Sequence, residues 1–364
     1  GGVLGASELK ARNTATVAQG AQLDIGAGGL RVQAGDTTRA LGLGIAAAAS
    51  LGGSTGIAAS NGLVLSASAV EALIDSAKVR SEGDIVATST RRQALTGLAY
   101  QATVATSGTG VGGALGLAWD RGVTTAAARN AELNAGFDVA IRAGNDTDVT
   151  TSAVGGSYGS NFSLAGSVSL TLKEDEVSAL IEGGIATAAD AVLVEAASGG
   201  DLGGSGGGDE SALGSLDQLT GSLSVSSSLA LGISVGIIRS VADVEAAIRD
   251  GAAVTARNEG NGEDSIGRSE ANDIWRARES VNRSGVAVVA DAQTTVKPLA
   301  ITAAAAAGTG VSAQLPVVLA RDTVTAEIAG ESEVDSASDA SVIAGNGTDL
   351  RTNSFSLAGG TSAG

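Results

Sequence analysis

Residues 229–251 read LALGISVGIIRSVADVEAAIRDG, and their periodicity decides the fold. Leu229, Leu231, Ile233, Val235 and Ile237 alternate with Ala, Gly or Ser, the period of two that a β-strand imposes on its faces. Val244, Ala246 and Ile248 keep the same period, although Val244, Ala247, Ile248 and Gly251 also satisfy helical spacing. Recurrence separates the two readings. Val-x-Ala-x-Ile returns as Val70/Ala72/Ile74, Val177/Ala179/Ile181 and Val324/Ala326/Ile328, whereas the helical spacing does not survive in Val324 to Val334. Thr, Val, Ser and Gly crowd these segments while Lys, Glu and Gln are sparse, which favours strand over helix.

Working outward, two weaker versions, Asn13/Ala15/Val17 and Val123/Thr125/Ala127, complete a ladder with steps of 57, 53, 54, 67 and 80 residues. This is one degenerate repeat of about 55 residues whose longer steps carry insertions. The insertions are expected at about 199–220, which opens on GGDLGGSGGGD, and at 258–284, which holds Trp275 among acidic residues and arginines. Each pattern is followed by a turn and a second alternating strand, as in Leu30/Val32/Ala34, Val139/Ile141/Ala143 and Val192/Val194/Ala196. Charged groups at Asp120-Arg121, Lys173 to Glu176, Arg239 and Arg321-Asp322 read as breakers that end the preceding strand. AIRAGNDTDVTT at 140–151 matches SVIAGNGTDLRT at 341–352, Phe-Ser-Leu-Ala-Gly at 162–166 recurs at 355–359, and Gly-Thr-Gly-Val at 108–111 recurs at 308–311.

Composition narrows the architecture. Apolar residues are 43% of the 364, yet aromatics are only 2%, and Gly numbers 54, roughly twice ordinary usage. A sandwich or globular barrel fills a core about 10 Å thick with larger side chains. A membrane barrel needs aromatic girdles, and no apolar run reaches the ~18–20 residues of a membrane helix. What remains is an all-β fold, a parallel β-helix or β-solenoid, whose thin coils stack about 4.8 Å apart around small apolar residues. Coils of roughly 20 residues would make ~18 coils and a rod on the order of 85 Å long, with each repeat covering two or three coils.

The chain has no Cys, His or Met, which removes disulfides, Cys/His zinc sites and imidazole-based triads. A net charge of −17 with scattered cations excludes nucleic acid as a partner and gives no means of inserting into a membrane. Gly-x-Ser-x-Gly occurs at 52–56, 155–159 and 203–207, in a chain where Gly and Ser make such matches by chance and no His can serve as base. Gly108, Gly110 and Gly113 match a dinucleotide loop, but the residues that follow alternate instead of opening a helix. Acidic pairs such as Asp243 with Glu245, or Glu174 with Glu176, lack the aromatic platforms of sugar-cleaving sites. Calcium is the one cofactor with chemical support: Asp146, Asp148 and Asp349 sit in Gly-Asn-x-Thr-Asp segments that offer oxygen ligands. Asn and Asp also serve there simply as turn formers. No catalytic residue is expected.

The succession of alternating Gly/Ser/Val strand, charged break, Val-x-Ala-x-Ile, Gly turn and Val-x-Val-x-Ala resembles the repeats of large bacterial filamentous adhesins, the leukotoxin-like and filamentous-haemagglutinin-like surface proteins. The resemblance spans essentially the whole chain and implies a right-handed parallel β-helix, export to the cell surface, and a place in an extracellular fibre. Residues 1–364 are accordingly read as a single solenoid segment of a longer chain. Two roles stay open. One is a structural segment that associates with copies or neighbouring repeats of itself. The other is a stalk that presents a receptor or glycan site, on the 258–284 excursion, to a host or neighbouring cell. A β-helix polysaccharide-degrading enzyme is the third and least supported reading.

Overall fold

A computed structural model describes residues 2–52, 55–199, 215–260, 263–268 and 278–360. Every regular element it describes is a strand, and the chain winds through them in a repeating order. The first winding is β1 (Gly2–Val17), β2 (Gln22–Ile25) and β3 (Leu30–Ser50); the second is β4 (Thr55–Asp75), β5 (Lys78–Ser81) and β6 (Ile85–Ala105). The third is β7 (Thr109–Arg129), β8 (Glu132–Ala135) and β9 (Val139–Gly159). The fourth holds β10 (Phe162–Glu182), β11 (Ile185–Ala188), β12 (Val192–Ser198) and β13 (Ser215–Ser226). The fifth runs through β14 (Leu229–Arg249), β15 (Ala253–Ala256), β16 (Glu263–Arg268), β17 (Arg278–Arg283) and β18 (Val286–Ala306). The sixth holds β19 (Thr309–Ile328), β20 (Glu333–Ser336), β21 (Ala340–Leu350) and β22 (Asn353–Gly360).

Strands from successive windings pair in parallel to give three sheets: a wide front sheet β1-β4-β7-β10-β14-β19, a narrow side sheet β2-β5-β8-β11-β15-β20, and a wide back sheet running from β3, β6 and β9 through β12 and β13 to β18, β21 and β22. This arrangement is consistent with a β-solenoid. Thr55, Thr109, Phe162, Leu229 and Thr309 occupy one column of the front sheet, in steps of 54, 53, 67 and 80 residues. The repeat is therefore one winding, not two or three coils of roughly 20 residues. A 21-residue strand is roughly 70 Å long, and six windings rise only about 29 Å. The molecule is a wide blade where a slender rod was expected.

The coil estimate failed because the charged groups do not end the front strands. Asp120, Lys173 and Asp175 lie mid-strand and point inward, and the backbone ladder runs on through them. The 200–214 part of the first insertion lies outside the described residues. Its two ends resume the same row, since β12 and β13 both pair with β9 and β18. The 258–284 excursion leaves at the corner between side and back sheets and contains the antiparallel pair β16–β17.

Four Val-x-Ala-x-Ile patterns and Asn13/Ala15/Val17 fall in the same three columns. Val123/Thr125/Ala127 does not: the residues in those columns are Thr124, Ala126 and Ala128. A one-residue slip moves every side chain to the opposite face, and a winding with only small inward residues gives no apolar signal to fix it. The 140–151 and 341–352 segments both pair, in register, along the back sheet. The Phe-Ser-Leu-Ala-Gly repeat is not equivalent in space, because Phe162 opens a front strand and Phe355 lies in the back sheet.

The interior changes character along the blade. Next to the side sheet it is apolar, with Val70, Ile74, Ile85, Ile141, Val177 and Ile248 in one buried cluster. A polar layer follows, then a stacked row of Val64, Leu95, Ala118, Val149, Leu216, Ile238 and Val296. Beyond that row the two wide sheets close on glycine. A Cβ at Gly97 would lie 2.6 Å from the Leu117 carbonyl oxygen, one at Gly116 would lie 2.6 Å from that of Ser152, and one at Gly62 would overlap that of Leu98. Sheets with ordinary side chains sit about 10 Å apart; here backbone meets backbone. Some inward hydroxyls pair with one another, as Thr151 with Thr171 at 2.7 Å and Ser224 with Ser163 at 2.8 Å, while those of Ser60, Ser157 and Ser226 make no hydrogen bond.

Candidate interaction surface

The polar layer is built from the front-strand charges and their partners in the back sheet. Arg91 is fully buried and donates from Nη1 to Asp120 at 2.9 Å, to Thr147 at 3.1 Å and to Asn145 at 3.2 Å. Its Nη2 donates to Gln93 at 2.7 Å and also to Asp120, closing a two-pronged ion pair. Gln93 in turn donates to Asp36 at 2.9 Å, and Lys173 pairs with Asp175 at 3.1 Å. The contacts cross windings, and with Arg91 Nη1 also 3.5 Å from Asp175 the layer ties the first four together. Burial pushes the Asp120 carboxyl above its ordinary range, and Arg91 offsets only part of this. Burial works against the Arg91 charge too, yet Asp120 together with Asp175 and Asp36 outweighs it and the guanidinium stands above its ordinary value. Each cation faces a carboxylate, so the buried charges offset one another, while Lys173 Nζ and the Asn145 amide nitrogen make no hydrogen bond.

The three proposed calcium residues do not converge. Asp146 and Asp148 share the outward face of β9, and Asp148 accepts from the Ser215 amide and hydroxyl at 2.9 and 3.0 Å. Asp349 lies three windings away, roughly 14 Å at about 4.8 Å per winding, and accepts from Arg351 at 2.8 Å. Among the described residues no three acidic side chains are grouped as a metal ion would need. One carboxylate of each acidic pair is engaged as well: Glu174 pairs with Arg239 and Glu245 with Arg249.

Outside, at the side-sheet end of the front strands, Asp75, Arg129, Glu182 and Arg249 stack in one column with alternating sign. Glu182 receives Arg129 and Arg249 at 2.7 Å each. Its partial burial would raise its pKa, but the bonds from Arg249 and Arg129 hold it below the usual carboxylate range. Alternation along the stack favours this register, because a slip would separate the paired charges.

The far half of the blade shows what periodicity alone does not reveal. There the alternation is inverted: Gly, Ala and Ser face in, and the bulky residues face water. In the front sheet one outward row is Ile57, Val111, Leu164, Leu231 and Val311, and another is Leu4, Asn61, Leu115, Val168, Val235 and Leu315. Ile57 and Leu315 are each 57% exposed, and Leu4 is 63% exposed. From the strand starts to the row of Leu63, Leu117, Leu170, Ile237 and Val317, no charged side chain points out. The back sheet presents Leu43, Ile45, Tyr100, Ile301, Phe355 and Leu357 on its own outer face, broken by Ser152 and bordered by the Asp217–Lys297 pair at 4.0 Å. The sequence contained the signal in its glycine rows. Gly in alternate strand positions leaves no inward side chain to bury, so its bulky neighbours must face out.

No protein-family model, curated protein or solved structure matches the chain. Its function is argued from this geometry.

Proposed function

We propose that the six windings form a right-handed parallel β-helix, a β-solenoid, and that the chain is a non-enzymatic structural segment of a secreted surface filament of the bacterial adhesin type. It works outside the cell, through association with copies or neighbouring repeats of itself. The constancy of register carries this reading: three sheets repeat winding upon winding, and both insertions are accommodated without shifting a column. A ladder of this kind is additive, since each unit contacts only its neighbours. The edge strands leave backbone groups open to further parallel pairing. Electron microscopy with fibre diffraction on purified protein tests it. Filaments with a ~4.8 Å axial repeat are expected, and single particles at every concentration would exclude a filament. Loss of filaments in a chelator would restore a role for calcium.

The β16–β17 hairpin favours one second reading, in which the windings are a stalk and the 258–284 excursion offers a receptor or glycan site. Deleting 258–284 should leave filaments intact under the first reading and abolish cell-surface binding under the second.

A further inference from the structure

We infer that the outer face of the front sheet is an interface for a second copy of this chain, packed face to face about a two-fold axis parallel to the winding axis. The inference deepens the filament reading by naming a lateral contact, and it rests on three features of that face.

Size comes first. The uncharged part spans about nine residues of strand in five windings and five, Gly2–Ala6, in the first, roughly 800 Å² per copy. Two such faces bury on the order of 1,600 Å², the size of a stable specific interface. It is also larger than the apolar patches that monomers ordinarily leave open.

Shape is the second feature. Between the outward rows containing Val111 and Leu115 lies a row of small residues, Ala59, Gly113 and Gly166, which forms a trough closed at the fifth winding by Ile233. A side chain added at Gly113 would meet no atom of the chain within 4 Å. The trough is therefore not needed for the fold's own packing, unlike the glycine seam inside. A two-fold along the winding axis reverses strand direction and keeps winding order. It seats Leu115 and Val168 of one copy over Gly113 and Gly166 of the other, and the same operation does the reverse, as a closed isologous contact requires.

Charge is the third. The first outward charges along the strands are Glu8 and Arg239, followed by Lys10, Arg121, Glu174 and Arg321. Under this two-fold they fall at or beyond the partner's strand starts, so the contact buries no unpaired ion.

Sedimentation equilibrium on the whole chain tests the pairing, using wild type, Gly113→Leu/Gly166→Leu, Leu115→Lys, and Tyr100→Lys on the back face as control. Circular dichroism and urea midpoints establish that each variant folds. Wild type and Tyr100→Lys are expected to dimerise alike. The trough-filled and Leu115→Lys chains should weaken dimerisation roughly tenfold or more. A monomeric wild type, or a trough-filled chain that dimerises like wild type, overturns the pairing, as does binding of monomers to neutral phosphatidylcholine vesicles through this face. Wild-type filaments with the axial repeat but no lateral pairing would overturn the pairing alone. Trough-sensitive dimers that never elongate would support the pairing and overturn the filament.

Discussion

At Arg91 the fold depends on a single cation. It is fully buried and binds Asp120, Gln93, Asn145 and Thr147. Removing one partner of a buried pair leaves the other charge uncompensated, at a cost of about 3–5 kcal/mol. Arg91→Ala should lose that much in urea unfolding. Arg91→Met with Asp120→Leu should recover most of it, because an apolar pair removes both desolvation penalties. Asp322 gives a test of opposite sign. Burial raises its carboxyl above the ordinary value, and the Thr348 bond at 3.3 Å offsets only part. A carboxyl whose folded pKa exceeds its unfolded one destabilises the fold while ionised. That cost is fully present above the folded value and disappears as pH falls through the unfolded value of 3.8. Asp322→Asn is therefore expected to be more stable at neutral pH by about 1 kcal/mol. The two urea midpoints should converge in acid; a constant difference across pH would show that the ionised carboxylate is not the cause.

Among the elements, the front strands show which features a sequence carries and which it hides. Val-x-Ala-x-Ile was legible because those residues face an apolar interior in winding after winding, and burial selects the same side chains each time. The direction of the far half was not legible in the bulky residues themselves, since Leu229 to Ile237 alternate identically whichever face is buried. The charges at Asp120 and Lys173 misled for a related reason: a charge ends a strand only if it must reach water, and these are paired inside it. Two glycines on one sheet therefore make opposite predictions. Gly62→Ala forces a methyl into the Leu98 carbonyl and should cost about 1–3 kcal/mol. Gly113→Ala meets nothing and should leave stability unchanged or slightly raised, within about 0.5 kcal/mol. Urea denaturation of both variants checks the direction of the sheet faces without a structure. Equal losses would mean that the glycine rows do not mark the seam.

For the whole molecule, the repeat spacing was legible and the coil was not. A 55-residue period fits two or three small coils as well as one large winding, and only strand length separates them. A deletion distinguishes them directly. Thr309 stands where Leu229 stands one winding earlier, so removing residues 229–308 joins Ser228 to Thr309 with every column preserved. Inside, this stacks Asp322 directly on Asp175, with Lys173 two positions along the strand to offset part of the repulsion. Such a five-winding chain should fold in one cooperative transition, with the same strand signature in circular dichroism and stability lowered by about one nearest-neighbour increment plus the cost of those stacked carboxylates. Removing one residue more, 229–309, shifts the last winding by one position and turns its outward Val311, Leu315 and Val317 into the glycine seam; that chain should not retain its sixth-winding contacts. Removing only 229–248 would be harmless if coils were roughly 20 residues. In the wide winding it deletes nearly all of β14 and should unfold the windings on either side. Protection from proteolysis across the three deletions gives the winding length from solution behaviour alone.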